Sequence, residues 1–600
     1  MYKRIGICFL TFLACLIMPM NLYGAENKII LLISSQSSWN DLINSPLVSS
    51  LVSKSVVGSM NIRTNHRNRE IEYYGTINAG RRWSYYEIND MGAVENGLGD
   101  LLSQSNFSTA IFSDDPDTKK IIENASGEIT YEAKDFIELY SEDNVDILQK
   151  ADIILIDMDL YHTVENQSFL LNFINQNSVQ LYLFCPYNRE NSSDLTPFLF
   201  YDSRNPQPGL VSADTTRRLG IITSLDIAPT ILNQLGIDHN GMFSNGIKIH
   251  PNNNAFSVMM RDLEKIRNMN SLRSPVIKNY TLLLILLIIL FSFIDRIDRL
   301  RVKKLYHSIL LSVLWSPILL MIHFNNVLFM ILSYFIVVSS IFYIGFQISS
   351  YKKVLQVTSG TILIILALDT LFGSPLMRNS MLGYDPVIGA RFYGIGNEYA
   401  GIIIGNLYLF LYSVGDFRNF KTVSMSLQLF FILLLGMSLW GANFGGMLAA
   451  LFGMLLFCTH HYMNKKKKYI NYSILFALFL SGVLWITIDY YFIEEQSHLG
   501  QTISQFINGN FYYIVEVLKR KLIMNLQLIK YSMWSKFLLT ALIILGLYFD
   551  TDHPIIKKVG PSFIGAMSGA VLFNDSGIVM SATCMIYLVF PYLYVYNQNE

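Results

Sequence analysis

Two hydrophobic rhythms divide the chain near residue 275. Before that point, short apolar runs alternate with polar, helix-favouring stretches; beyond it, apolar runs of membrane-spanning length follow one another with brief polar links. In the first part Lys28–Ser34, Thr109–Ser113, Asp152–Asp157 and Gln180–Cys185 read as strands. Their continuous apolar character suits parallel strands buried on both faces. The expected architecture is an α/β domain over 26–275, then an all-α polytopic membrane domain over 276–600, with 262–278 as a polar stalk carrying Arg261, Lys265, Arg267 and Arg273.

In the second part about eleven runs approach spanning length. They lie near 279–294, 306–322, 327–348, 354–372, 398–413, 422–440, 445–460, 469–490, 533–549, 561–574 and 576–596. Basic residues occupy every second link: Arg296 to Lys304, Lys352 and Lys353, Arg418 and Lys421, Lys465 to Lys468. Lys and Arg favour the cytoplasmic side, so this alternation predicts a multi-pass protein of the cytoplasmic membrane with its N-terminal domain outside. The remaining links, with the unusual polar groups, then share the exterior side with that domain.

Residues 1–25 have the form of a signal peptide: Lys3 and Arg4, an apolar stretch, then Gly24 and Ala25. A retained first membrane helix is the other reading, and either puts 26–275 outside. Composition supports the membrane assignment, since 52% of residues are hydrophobic and only 15% charged. With 45 basic and 45 acidic residues, no global field draws in nucleic acid or another polyanion. Cys8 and Cys15 lie in the leader and Cys185 stands alone in 26–275, so that domain forms no internal disulfide; no CxxC spacing occurs.

Candidate chemistry collects in the exterior links. The stretch 384–401, YDPVIGARFYGIGNEYAG, sets Arg391, Asn397 and Glu398 among glycines directly before an apolar run. Ionisable groups at a membrane boundary are costly unless they pair, face a wet cavity or act on a ligand. Arg391 is suited to a bidentate grip on phosphate or carboxylate, and a helix starting near Asn397 would offer free N–H groups to an anion. Glu398 reads as a general base or as the partner that orients Arg391; a purely structural Arg–Glu pair is the plain alternative. In 440–446, WGANFGG, Asn443 either lines a cavity or sits in a tight hairpin. His498, near Asp489, Glu494 and Glu495, is a candidate proton shuttle or a surface bystander. Asn574 and Asp575 stand between the last two runs, where Asp575 either caps the final helix or faces the same cavity. Segment 502–531, with Lys519, Arg520 and Lys521, has the pattern of an interfacial amphipathic helix.

A family resemblance adds to this. Thr215–Ile237, TTRRLGIITSLDIAPTILNQLGI, resembles the late strand–helix segment of the alkaline phosphatase and sulfatase superfamily. The stretch 58–82 resembles the segment that carries the superfamily's nucleophile, with Thr76 as the nearest match and Thr64 the weaker one. Asp157-Met158-Asp159-Leu160-Tyr161-His162 resembles an Asp/His metal-ligand segment. The resemblance implies an alkaline-phosphatase-like fold for about 250 residues and weak site candidates at Thr76, Asp157, Asp159 and His162. The chain departs from the pattern where members with two metal ions have ligands: Lys28–Ser35 ends in Ser-Ser, and Cys185-Pro186-Tyr187 follows the later strand. Such a site needs its full ligand set, so the implied role is that of a non-hydrolytic relative. Together with GARFYGIGNEY, HLG and NDSG, the domain is also similar to a group of polytopic bacterial envelope proteins.

The leading expectation is a cell-envelope enzyme, a transferase or hydrolase, acting at the outer face of the membrane on a lipid-linked glycan or phosphate. Arg391, Asn397, Asn443 and Asn574 would bind substrate; Glu398, His498 and Asp575 would handle protons. Its partners are membrane lipids or lipid-linked envelope intermediates, and the arrangement calls for no metal or cofactor. A transporter or lipid flippase with a non-catalytic exterior domain is the rival class, because carriers use broken helices with polar groups. A scaffold that binds envelope partners is the third.

Overall fold

The computed structural model describes residues 28–34, 38–64, 70–84, 94–133, 139–160, 164–187, 194–293, 300–322, 327–347, 351–415, 418–462 and 511–596. The expected leader with Cys8 and Cys15, the run 469–490, His162 and His498 lie outside these residues. Two compact units make up the chain, Met1–Met260 and Arg261–Glu600. Their division falls within one continuous helix, α3 (Ala255–Phe293), and the expected boundary at 275 lies further along it, at Pro275.

The first unit is built on a mixed sheet. Its strands are β1 (Lys28–Ser34), β2 (Val56–Asn61), β3 (Thr109–Phe112), β4 (Tyr131–Glu132), β5 (Ile153–Met158), β6 (Val179–Phe184), β7 (Thr196–Asp202), β8 (Gly209–Ala213), β9 (Ile221–Thr223) and β10 (Ile247–Pro251). They run in the order β10-β8-β2-β7-β6-β1-β5-β3-β4, with β9 beside β2. The four strands expected from continuous apolar runs form its parallel heart, β6-β1-β5-β3. Ile30, Leu31 and Leu32 at the centre of β1 are fully buried, as a strand covered on both faces requires. The rest of the sheet is mixed: β7 is antiparallel to both β6 and β2, and β10 to β8, while β8 and β9 run parallel to β2 and β4 to β3. Pro197 in β7 and Pro251 in β10 disguise these strands, since proline within a run argues against a sheet position.

The segment carrying the DIAPT motif owes its shape to one carboxylate. Asp226 is fully buried and accepts from the Thr223 backbone N–H at 2.7 Å, Thr223 Oγ1 at 2.8 Å, Thr215 Oγ1 at 2.7 Å and the Ser244 hydroxyl. It thereby closes a capping box with Thr223, ahead of helix α2 (Ile227–Leu235). Helix α1 (Glu70–Ala79) packs against this turn and buries Tyr74 and Ile77.

The second unit is helical. After α3 come α4 (Leu300–Leu319), α5 (Val327–Gln347), α6 (Tyr351–Leu371), α7 (Asn397–Val414), α8 (Phe420–Gly436), α9 (Phe444–Tyr462), α10 (Phe511–Tyr531), α11 (Met533–Leu547), α12 (Pro554–Phe573) and α13 (Gly577–Tyr596). Among the described residues five are long and apolar enough to cross a membrane: α3, α6, α9, α12 and α13. The bent pair α10–α11, with 79° between its arms, makes a sixth if it counts as one span. This is the composition of a multi-pass membrane unit, while the expected figure of about eleven spans is not reached on this measure. Helix α13 lies at the middle, its apolar stretch buried throughout, which explains why it is hydrophobic on every face. Its neighbour α7 approaches closely through Gly401 and Gly405: a Cβ on Gly401 would stand 2.1 Å from Thr583 Oγ1, and one on Gly405 2.8 Å from the Cys584 carbonyl. Small residues four apart allow such approach between apolar helices.

Candidate functional site

Three interruptions of the apolar pattern meet at one place. They precede α7, α9 and α13, and each ends in a helix start. The first is held by backbone, with Ile395 N–H donating to the Gly441 carbonyl at 2.7 Å. Gly394, at φ +78°, turns the chain there; a side chain would place its Cβ 2.2 Å from that same carbonyl oxygen. Glycine is therefore required on two counts.

Asparagines join the three starts. Asn443 accepts from Gly446 N–H at 2.8 Å, so it caps α9, and donates to the Ile395 carbonyl and to Asn397 Oδ1, each at 3.0 Å. Asn574 donates to Asn397 Oδ1 at 2.8 Å and to Asn443 Oδ1 at 3.3 Å. Asn397 in turn donates to the Ser576 hydroxyl. Asn443 thus closes a tight turn and belongs to a polar cluster. An amide suits this position because it donates and accepts at once without burying charge.

The charges stand around that cluster. Glu398, in the first turn of α7, pairs with Arg273 of α3 at 3.5 Å, both side chains being more than four-fifths buried. The cation nearest Glu398 is Arg273, expected in the polar stalk, while Arg391 and Glu398 act on each other only through space. Arg391 donates from Nη1 to the Ala442 carbonyl at 3.1 Å, and among the described residues it makes no ion pair. Burial pushes its pKa below the ordinary arginine value, opposed by the electrostatic influence of Tyr384, Tyr393, Asp575 and Glu398. Asp575 is near enough to act on Arg391 through space, yet makes no hydrogen bond or ion pair among the described residues, and its Oδ1 is buried. Ser576, whose carbonyl accepts from Val579 and Met580, begins α13, so the carboxylate of Asp575 is left for another use.

No family model, curated protein or solved structure matches the chain. What the site can do is accordingly read from its own geometry. Among the described residues it presents a guanidinium with most of its donors unspent and a carboxylate without a hydrogen bond or ion pair, around a cluster of neutral amides.

Sequence reasoning expected an amphipathic helix within 502–531 but missed that it closes this place. Lys521 of α10 donates to the Phe573 carbonyl at 2.9 Å; Asn525, one turn on, donates to the Asn574 carbonyl at 2.8 Å and accepts from Ile578 N–H at 3.2 Å. The signal was present as a Lys and an Asn four apart on one face of an amphipathic segment. The candidates of the first unit lie elsewhere. Thr76 is fully buried in α1, with Oγ1 accepting from Trp83 N–H at 3.3 Å, a position suited to packing rather than to attack on a substrate. Asp157, in β5, accepts from Ser113 Oγ at 3.2 Å and Thr118 Oγ1 at 3.3 Å; Asp159 follows the strand. Among the described residues no three His, Cys, Asp or Glu side chains group as a metal site.

Proposed function

We propose that the chain is a cell-envelope protein of the cytoplasmic membrane, with an alkaline-phosphatase-like domain outside, that acts as a transferase or hydrolase on a lipid-linked glycan or phosphate. The observation that supports this reading is Asp575 lying within electrostatic range of Arg391 while neither forms an ion pair among the described residues. Arg391 holds the anionic group through its planar fork, which matches phosphate oxygens two at a time. Asp575 takes the proton of the attacking hydroxyl or water, a step open to a carboxylate with no competing donor. Glu398, engaged by Arg273, serves as a positioning residue that sets the start of α7. The amides of Asn397, Asn443 and Asn574 hold the three helix starts together without adding charge. Exterior orientation rests on the alternation of basic links.

The test is lipid mass spectrometry on protein purified in mild detergent, wild type against Arg391→Ala. A polyprenyl phosphate or phosphoglycolipid that accompanies wild type and is lost from the variant supports the reading. Equal bulk lipid in both overturns it. The glycine-rich breaks before α7 and α9 favour one rival, a flippase. Cysteine accessibility at position 575 separates the two, since an outward enzyme is labelled from the exterior alone and a carrier from both sides.

A further inference from the structure

On one face of the first unit's sheet lies a cavity of about 230 Å³ whose lining follows from strand alternation. Phe198, Phe200 and Asp202 of β7 are two apart and point the same way. Tyr182 of β6 stands directly opposite Phe200, their rings 4.7 Å apart, and Gln180 opposite Asp202 donates to it at 3.1 Å. The floor is therefore aromatic at one end and carboxylate at the other.

Asp202 also accepts from Arg204 N–H at 2.9 Å and pairs with its guanidinium at 3.8 Å, and Thr230 is engaged by Asp226 and Ile247, but the other polar groups of this cavity are unspent among the described residues. Tyr182 is only 2% exposed, and its hydroxyl has no hydrogen bond among the described residues. The hydroxyl oxygen is not itself sealed in the core but opens toward the cavity, where a bound polar group can meet it. Around the rim, the amides of Asn205 and Gln207 from the loop after β7, and of Gln234 from α2, make no hydrogen bond among the described residues either. Every one of these groups can donate and accept, and no lysine or arginine lines the cavity.

We infer that this cavity binds one ring of a neutral sugar. A pyranose ring has an apolar face for Phe200 and the Tyr182 ring, and a girdle of hydroxyls that donate to Asp202 and exchange both roles with the amides and the Tyr182 hydroxyl. An anionic headgroup is disfavoured, because no lysine or arginine lines the cavity and the nearby Arg204 already has Asp202 as its partner at 3.8 Å. Drug-sized sites run from about 300 Å³ upward, so a space of this size takes a single ring rather than an extended chain. The inference concerns a different unit from the membrane site and stands without the function proposed there.

Saturation-transfer NMR on the full chain in lipid nanodiscs tests it, using methyl glycosides of glucose, galactose, mannose and N-acetylglucosamine as probes. Wild type transfers saturation to at least one glycoside, and the surface variant Gln207→Ala/Gln234→Ala weakens that binding about tenfold, the loss of one to two hydrogen bonds. Phe200→Leu, which keeps the core filled, weakens it similarly by removing the ring's platform. Competition by a polyprenyl-phosphate-linked hexose assigns the ring to a lipid-borne glycan, and its failure to compete assigns the ring to a soluble one. No transfer to any glycoside, transfer unchanged in both variants, or full competition by inorganic phosphate overturns the inference.

Discussion

Arg273 and Glu398 pair at 3.5 Å across 125 positions of sequence, joining α3 to the first turn of α7. The pair gives Glu398 its nearest cation, although Glu398 still acts on Arg391 through space, and among the described residues Asp575 is the neighbouring carboxylate that makes no hydrogen bond or ion pair. Removing either partner strands the other charge in a mostly buried place. Arg273→Ala and Glu398→Ala should each cost about 1–2 kcal/mol, with the double variant costing less than the sum. Thermal unfolding of the four proteins in one detergent measures this, and strictly additive losses would show that the pair contributes nothing.

In the proposed function Arg391 and Asp575 divide binding from chemistry. Asp575→Asn keeps the size of the side chain and loses its proton affinity. The variant should retain any lipid that Arg391 captures while turnover falls by about a hundredfold or more, the scale of a lost general base. Loss of lipid and turnover together would instead make Asp575 part of the binding surface.

Gly394→Ala should fail. Its φ of +78° and the 2.2 Å approach of a Cβ to the Gly441 carbonyl combine backbone strain with a clash against backbone, which cannot give way cheaply. A loss of about 3 kcal/mol or more follows. Gly396→Ala, whose Cβ would meet nothing nearer than 3.7 Å, is the matched control. Melting temperatures of the two variants against wild type decide the matter, and equal tolerance would refute the close contact.

Asn397→Ala removes the acceptor shared by Asn443 and Asn574. Two buried amides then lose a partner, at about 1–3 kcal/mol in all. Asn443→Ala should cost more than Asn397→Ala, because it also uncaps α9. The reverse order would mean that the cap is dispensable.

Asp226→Asn should loosen the first unit by disturbing four hydrogen bonds to one carboxylate. Burial raises the Asp226 pKa above its ordinary 3.8, with the Ser244 and Thr donors pulling the other way. A raised folded value means that this group's stabilising contribution is complete below the ordinary carboxylate range and declines as pH rises through the folded-state value. The Asn variant should lack that decline. Stability measured against pH from the ordinary value upward checks it, and parallel curves for the two proteins would sink it.

Local pattern alone was sufficient for the parts of this protein that depend on neighbours in sequence. The strands β1, β3, β5 and β6 announce themselves because a strand buried on both faces must be apolar without interruption. The three polar breaks at 389–401, 440–446 and 574–577 stand out because polar groups among apolar runs need a reason. Pattern did not reveal that β7 runs against its neighbours, that Asp226 ties together residues from 215 to 244, or that the three breaks meet around Asn397. Nor could it choose Arg273 over Arg391 as the partner of Glu398. Those outcomes belong to contacts between residues far apart in the chain, which packing decides and periodicity does not record.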